Sequence, residues 1–147
     1  PVLDQIQPKA WVAKGAPEVY ISQWQNAETE MNYIADAAAR LSKDPDRLTL
    51  ALETYFRMQS LDTMISSLSE GIRKYQNPAL AELLQGLVAE NAGNRDKLRQ
   101  HIVDVATTRE QEWQVMDTEA QRCRESISRQ PAAGRTGARP VKRPEAK

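Results

Sequence analysis

The sequence predicts an all-α protein: an up-down antiparallel bundle of about four helices, two or three long and one short, with an irregular amino-terminal arm and a disordered carboxyl-terminal tail. Three observations predict it. Prolines are absent between Asp46 and Asn77 and between Ala79 and Gln130, and both stretches are rich in strong helix formers. Apolar residues recur at helical spacings of three and four. No segment alternates apolar and polar residues as a half-buried strand would.

Length and composition limit the class of protein. The 147 residues include 20 Lys and Arg, 20 Asp and Glu, one His and one Cys, and 40% are hydrophobic, which indicates one soluble domain with a modest core. No apolar run approaches the roughly 18 residues of a membrane-spanning helix, so no membrane span is expected. A single His and a single Cys exclude a multi-histidine site and an internal disulfide within this chain.

The first long helix is predicted to begin near Pro17, a favourable first-turn residue. Its apolar residues, separated alternately by three and four positions, form one narrow seam that requires a partner helix: Trp24, Ala27, Met31, Ile34, Ala38 and Leu41. Asp44 is a plausible N-cap and Pro45 the first residue of the next helix, which is predicted to run to about Gln76. Asp62 interrupts the apolar stripe of this second helix.

Asn77 and Pro78 repeat the cap-and-start pattern and open a short third helix. Gly93, a favourable left-handed cap residue, followed by Asn94 predicts a tight turn there. A fourth helix is then expected from about Arg95 to Arg129, with an inward-facing stripe that Arg109 interrupts. Its members are Leu98, Ile102, Val105, Trp113, Met116, Ala120, Cys123 and Ile127.

The chain ends differ from this bundle, which is predicted over residues 17–130. Residues 1–16 form an irregular arm whose apolar side chains favour packing on a bundle groove or on a neighbouring molecule. Residues 131–147 carry five Lys and Arg against one Glu, a net charge of +4, and are rich in Pro and Gly. This composition predicts a disordered basic tail.

The search for catalytic or cofactor motifs is negative. The chain has no glycine-rich phosphate loop, no HExxH and no Glu-x-x-His pair. His101 and Cys123 lie 22 residues apart on one predicted helix, roughly 33 Å at 1.5 Å per residue, so they cannot act together within one chain. The sequence therefore predicts no enzyme activity, no cofactor and no metal site, and it favours a structural, hydrogen-bonded His101.

Asp62 and Arg109 are the charged residues that interrupt the two long apolar stripes. If their helices are adjacent and antiparallel, the two can meet as a buried or half-buried ion pair that fixes register. The rival interpretation is a polar pocket between helices, completed by Glu112 and Tyr55.

The candidate interface residues are Trp11, Trp24, Trp113 and Cys123. Core packing is the plainer interpretation of Trp24 and Trp113, since large rigid aromatics serve both cores and interfaces. Cys123 is expected as a small buried hydrophobe, and its alternative is an intermolecular disulfide.

No specific biochemical function can be read from these residues. The favoured hypothesis is a non-enzymatic helical bundle that acts through protein-protein contacts, including self-association. A small-molecule-binding bundle with a polar inter-helix pocket is the first alternative. Attachment to anionic surfaces or nucleic acid by the basic tail is the second, disfavoured because the tail lacks interleaved aromatic residues. The start at Pro1, with no leader, slightly favours an exported mature chain over a cytoplasmic one.

Overall fold

All regular structure in the computed structural model, which describes residues 2–129, is helical. The all-α prediction is confirmed, and the described residues form four helices, three long and one short. Their bounds are α1 Pro8–Val12, α2 Val19–Leu41, α3 Leu48–Tyr75 and α4 Pro78–Arg129, preceded by a 3-10 turn at Leu3–Gln5. The predicted disordered tail, residues 131–147, lies outside the described range. No helix within that range is long and apolar enough to cross a membrane.

Contacts between residues divide the chain into two units, Pro1–Thr107 and Thr108–Lys147. The division falls inside the stretch 17–130 predicted as one bundle. The first unit contains the core, formed by α1, α2, α3 and the first part of α4. In the second unit, every described residue from 108 to 129 is exposed.

Helices α2 and α3 pack against each other as antiparallel neighbours. The predicted seam of α2 is only partly right, because Ala27 is buried whereas Met31 and Ala38 are exposed. Near one end, Ser67 donates a hydrogen bond to the side chain of Gln23, at 3.0 Å. Further along, Arg57 reaches Glu30 on α2 at 2.9 Å. Ala27 and Ala37 on α2 are fully buried, because small side chains let the two backbones approach closely.

The amino-terminal arm completes the core of its own chain. Trp11 on α1 is only 1% exposed, and Leu3 and Ile6 are buried beside it. The Trp11 ring meets Tyr20 edge to face, with centroids 5.6 Å apart, which is a favourable aromatic geometry. Of the two places predicted for the arm, a bundle groove or a neighbouring molecule, the structure shows the first.

Helix α4 is one continuous helix where the sequence predicts two. The predicted turn at Gly93 is wrong: residues 91–94 are helical, and Gly15 is the only described residue with a positive φ, at 90°. The asparagines on either side of Gly93 form hydrogen bonds within the helix. Asn91 Nδ2 donates to the Leu87 carbonyl at 2.8 Å, and Asn94 Nδ2 donates to Asn91 Oδ1 at 3.2 Å. The short helix of the fold is α1, not the predicted third helix.

The connections between helices follow the predicted caps in part. Asn77 caps α4 as predicted, since its Oδ1 accepts a hydrogen bond from the Ala79 N–H at 2.9 Å. The predicted cap at Asp44 is wrong, because α3 begins at Leu48 rather than at Pro45, and its N-cap position is Arg47, whose side chain makes no capping hydrogen bond. The Pro45 carbonyl instead accepts a hydrogen bond from His101 Nε2 on α4, at 2.8 Å. His101 thus links α4 to the connection between α2 and α3.

Candidate functional site

An apolar groove of about 610 Å³, partly open to solvent, lies within the first unit. Three long helices and the arm line it, because the seams of α2 and α3 and the apolar stripe at the start of α4 converge there. This volume is within the roughly 300–1,000 Å³ range of small-molecule sites. The lining residues are Val2, Leu3, Met31, Ile34, Ala35, Ala38, Met58, Leu61, Asp62, Ile65, Leu84, Leu87, Val88 and Asn91.

Asp62 is the one charged residue in this lining, and its carboxylate forms an ion pair with Arg95 on α4. Both side chains are about one-third exposed. The predicted pairing of Asp62 with Arg109 is therefore wrong. The sequence predicts Arg95 at the start of a separate helix, whereas the continuous α4 brings it against α3. The second polar lining residue, Asn91, has its amide bonded within α4.

The other residues of the predicted polar pocket bond along their own helices. Arg109 pairs with Glu112 at 3.1 Å, three residues along α4, and both side chains are more than half exposed. The Tyr55 hydroxyl accepts a hydrogen bond from Gln59 Nε2, four residues along α3, at 3.1 Å. The groove is therefore apolar in character, in contrast to the polar pocket that the sequence suggested.

A charged cluster that the sequence prediction missed joins α2 to α3. Arg57 Nη1 contacts both carboxylate oxygens of Glu30, at 2.9 and 3.0 Å, and its guanidinium carbon lies 3.8 Å from the ring centre of Tyr33. Hydrogen bonds from Tyr33 and Arg57 hold the pKa of Glu53 below its ordinary value, and the bond from Tyr33 has the larger effect. The same bond to Glu53 raises the pKa of Tyr33. The i, i+4 spacing of Glu53 and Arg57 was the available sequence signal, but it does not identify the partners on α2.

An exposed apolar face is the main feature of the second unit. Trp113 is 69% exposed, Met116 65% and Ile127 70%. Together with Ala120 and Cys123 they recur at spacings of three and four, so one side of the helix carries all five. We call these five residues the carboxyl-terminal seam. The prediction that these five residues face inward is therefore wrong, so Trp113 does not pack in a core and Cys123 is not buried.

The four candidate interface residues divide by exposure. Trp11 is buried in its own chain and is not accessible to a partner, which corrects that part of the prediction. Trp24 is half-buried against the core and donates its Nε1 hydrogen to the Leu3 carbonyl at 3.0 Å. Trp113 and Cys123 are exposed on the carboxyl-terminal seam.

Within residues 2–129, no three His, Cys, Asp or Glu side chains lie close enough to share a metal ion. Among the described residues, the apolar groove and the carboxyl-terminal seam are apolar surfaces that solvent can reach. No protein-family model, curated protein or solved structure matches the chain.

Proposed function

We propose that the chain acts through protein contacts, by pairing the carboxyl-terminal seam with the same seam of a second copy. The observation that carries the proposal is the exposure of Trp113, Met116 and Ile127 on one side of a regular helix. Burying each large side chain is worth roughly 1.5–3 kcal/mol, so a helical partner gains substantially by covering them. Apolar residues that alternate by three and four are typical of a two-helix seam.

The sizes of the seam residues favour an antiparallel second copy as the partner. In an antiparallel pair centred at Thr118, Trp113 lies opposite Cys123 of the other helix, and Met116 lies opposite Ala120. These two kinds of layer each combine one large and one small side chain, which fills the space between two helices evenly. The fifth seam residue, Ile127, lies opposite Arg109 of the other copy. A parallel pair would instead stack Trp on Trp and Ala on Ala, so its layers would differ widely in volume.

The charged residues beside the seam make little net contribution to the free energy of the antiparallel pairing. The antiparallel arrangement brings Glu110 near Arg124 of the other copy, and this attraction occurs twice. Near the centre, Asp117 and Glu119 each meet their own counterpart. Exposed charge pairs contribute only about 0.2–1 kcal/mol each, so these opposing contributions nearly cancel. The apolar layers therefore provide the driving force for association.

Two neighbouring substitutions test the proposed function. Met116→Lys introduces a charge in the seam, whereas Val115→Lys introduces the same charge one residue away, at a side chain that is 58% exposed and lies outside the seam. Sedimentation equilibrium in reductant is expected to show a dimer for the wild-type chain and for Val115→Lys, and a monomer for Met116→Lys. Equal masses for the two variants would overturn the assignment of the seam.

Cys123 reports the orientation of the pair. The antiparallel arrangement separates the two Cys123 residues by ten positions along the axis, about 15 Å, beyond the reach of a disulfide. A thiol oxidant is thus expected to leave wild-type dimers uncrosslinked, and to crosslink the Trp113→Cys variant through Cys123 of the opposite copy. Rapid crosslinking of the wild-type chain would show a parallel pair instead.

A further inference from the structure

We propose that the apolar groove of the first unit is a binding site for a single-chain amphiphile with an uncharged head group. The aliphatic chain lies among the helices, and a hydroxyl head lies at the Asp62–Arg95 ion pair. This site is separate from the carboxyl-terminal seam, so the inference does not rest on the proposed self-association.

The apolar lining of the groove favours an alkyl chain as the part of the ligand that lies inside it. Twelve of its fourteen residues are apolar, and the amide of Asn91 is bonded within α4. An alkyl chain therefore loses no hydrogen bond when it enters, whereas a polar chain would leave its own groups unpaired. Met31 and Met58 lie on opposite helices of the lining, and their flexible side chains can adapt to a linear ligand.

The ion pair determines the head group. Asp62 lines the groove and supplies acceptor oxygens. Arg95 is not among the lining residues but is the ion-pair partner of Asp62 and supplies N–H donors, and the two charges sum to zero. A guanidinium has five N–H donors and a carboxylate about four acceptor positions, so the pair does not saturate either group. A hydroxyl can donate to Asp62 and accept from Arg95. A charged head of either sign is attracted by one member of the pair and repelled by the other, so it gains no net charge attraction that would offset the loss of its hydration.

Three ligands that share one chain length test the head group. Decanol, decanoate and decylammonium are titrated into the full-length chain by calorimetry. Decanol is expected to bind about tenfold more tightly than either ion, the difference that corresponds to one charge-assisted hydrogen bond. Absence of binding by all three would overturn the site. Tighter binding of either ion would overturn the neutral head group.

Two single substitutions should reverse the selectivity in opposite directions. Asp62→Asn leaves the positive Arg95 and is expected to favour decanoate over decanol, whereas Arg95→Gln leaves the negative Asp62 and is expected to favour decylammonium. A purely structural ion pair would alter the affinity for the three ligands equally. If both variants retain the wild-type order of ligands, the head group does not lie at this pair.

A variant that fills the groove, compared with a matched control, tests whether the alkyl chain of the ligand binds in the groove. Ala35 lines the groove, and Ala39 is an exposed residue one turn along α2 that does not. Ala35→Phe is expected to weaken decanol binding at least tenfold, while Ala39→Phe is expected to leave it unchanged. If Ala35→Phe instead changes the mass of the particle without affecting decanol, the groove is a protein interface and the proposal is wrong.

Discussion

Trp11 on α1 packs directly against Gly71 on α3. A β-carbon placed on Gly71 would lie 2.9 Å from Cζ3 of the Trp11 ring and equally close to the ring of Tyr20. The glycine thus provides the space in which the arm's largest side chain is buried. Its backbone remains helical there, so the requirement is for space and not for an unusual conformation.

The first prediction concerns this contact. Gly71→Ala forces two aromatic rings to move and is expected to lower the free energy of unfolding by about 1–3 kcal/mol, the usual cost of overpacking a core. The measurement is urea unfolding followed by circular dichroism. Gly86→Ala is the control, because nothing lies within 4 Å of its added β-carbon, so its stability should not fall.

Gln76, just after the end of α3, forms hydrogen bonds with the arm. The second prediction concerns the loss of these bonds. Gln76 Oε1 accepts hydrogen bonds from Trp11 Nε1 at 3.0 Å and from the Gln7 N–H at 3.1 Å, and its Nε2 donates to the Gln5 carbonyl at 2.7 Å. Gln76→Ala leaves the buried Trp11 donor unpaired and is expected to cost about 1–3 kcal/mol in urea unfolding.

Gln85→Ala is the matched control for Gln76. Gln85 is exposed and accepts a hydrogen bond from Arg73 at 3.2 Å, so its loss should change stability by less than about 0.5 kcal/mol. Equal effects of the two substitutions would show that the arm does not depend on the Gln76 contacts.

Continuity of α4 gives the third prediction. A glycine inside an exposed helix is less favourable than alanine by about 0.5–1 kcal/mol, so Gly93→Ala is expected to stabilise the chain by that amount. Thermal unfolding at fixed pH provides the measurement. A tight turn with Gly93 at positive φ would give the opposite sign, and a destabilised variant would therefore contradict the continuous helix.

Helix type could be predicted from the sequence, whereas helix continuity could not. The cap at Asn77 was identifiable because capping is a local property. The seam from Trp24 to Leu41 was identified only in part, since Ala37 is buried in place of Ala38 and Met31 is exposed. The role of Gly93 could not be predicted in this way, since a glycine can occupy either a left-handed cap or the interior of a helix. The choice depends on contacts made elsewhere by α4, such as those of Arg95 and His101 with residues on or before α3.

The candidate site was only partly predictable for the same reason. Asp62 could be recognised as unusual because it is a charged residue within an apolar stripe. Its ion-pair partner could not be predicted, because that depends on where α4 begins and ends. The carboxyl-terminal seam was visible as a periodic pattern in the sequence. Periodicity alone does not distinguish a face buried within the chain from one left exposed, and the structure places Trp113 and Met116 in the second class.

The fourth prediction is a pKa change in the cluster between α2 and α3. The hydrogen bond from Tyr33 is the largest cause of the lowered pKa of Glu53, and the bond from Arg57 is the next. Tyr33→Phe is therefore expected to raise the Glu53 pKa toward its ordinary value, measured by NMR titration of the carboxyl carbon. Tyr55→Phe, which removes a hydroxyl bonded to Gln59, should leave it unchanged.

The hydrogen bond from Tyr33 to Glu53 also determines how stability changes with pH. Because the folded-state pKa of Glu53 lies below its unfolded value, Glu53 stabilises the fold at pH above the unfolded pKa. This contribution is lost as the pH falls through the lowered folded pKa. Tyr33→Phe should reduce the acid-dependent part of the unfolding free energy, and an identical pH profile in the two proteins would contradict the assigned hydrogen bond.

The fifth prediction tests the central claim of self-association most directly. The measurement is the concentration dependence of the mass of the 147-residue chain in reductant, by sedimentation equilibrium. The carboxyl-terminal seam predicts a reversible equilibrium that approaches twice the chain mass as concentration rises, with no need for a disulfide at Cys123. A mass that stays at one chain across the whole concentration range would contradict the account.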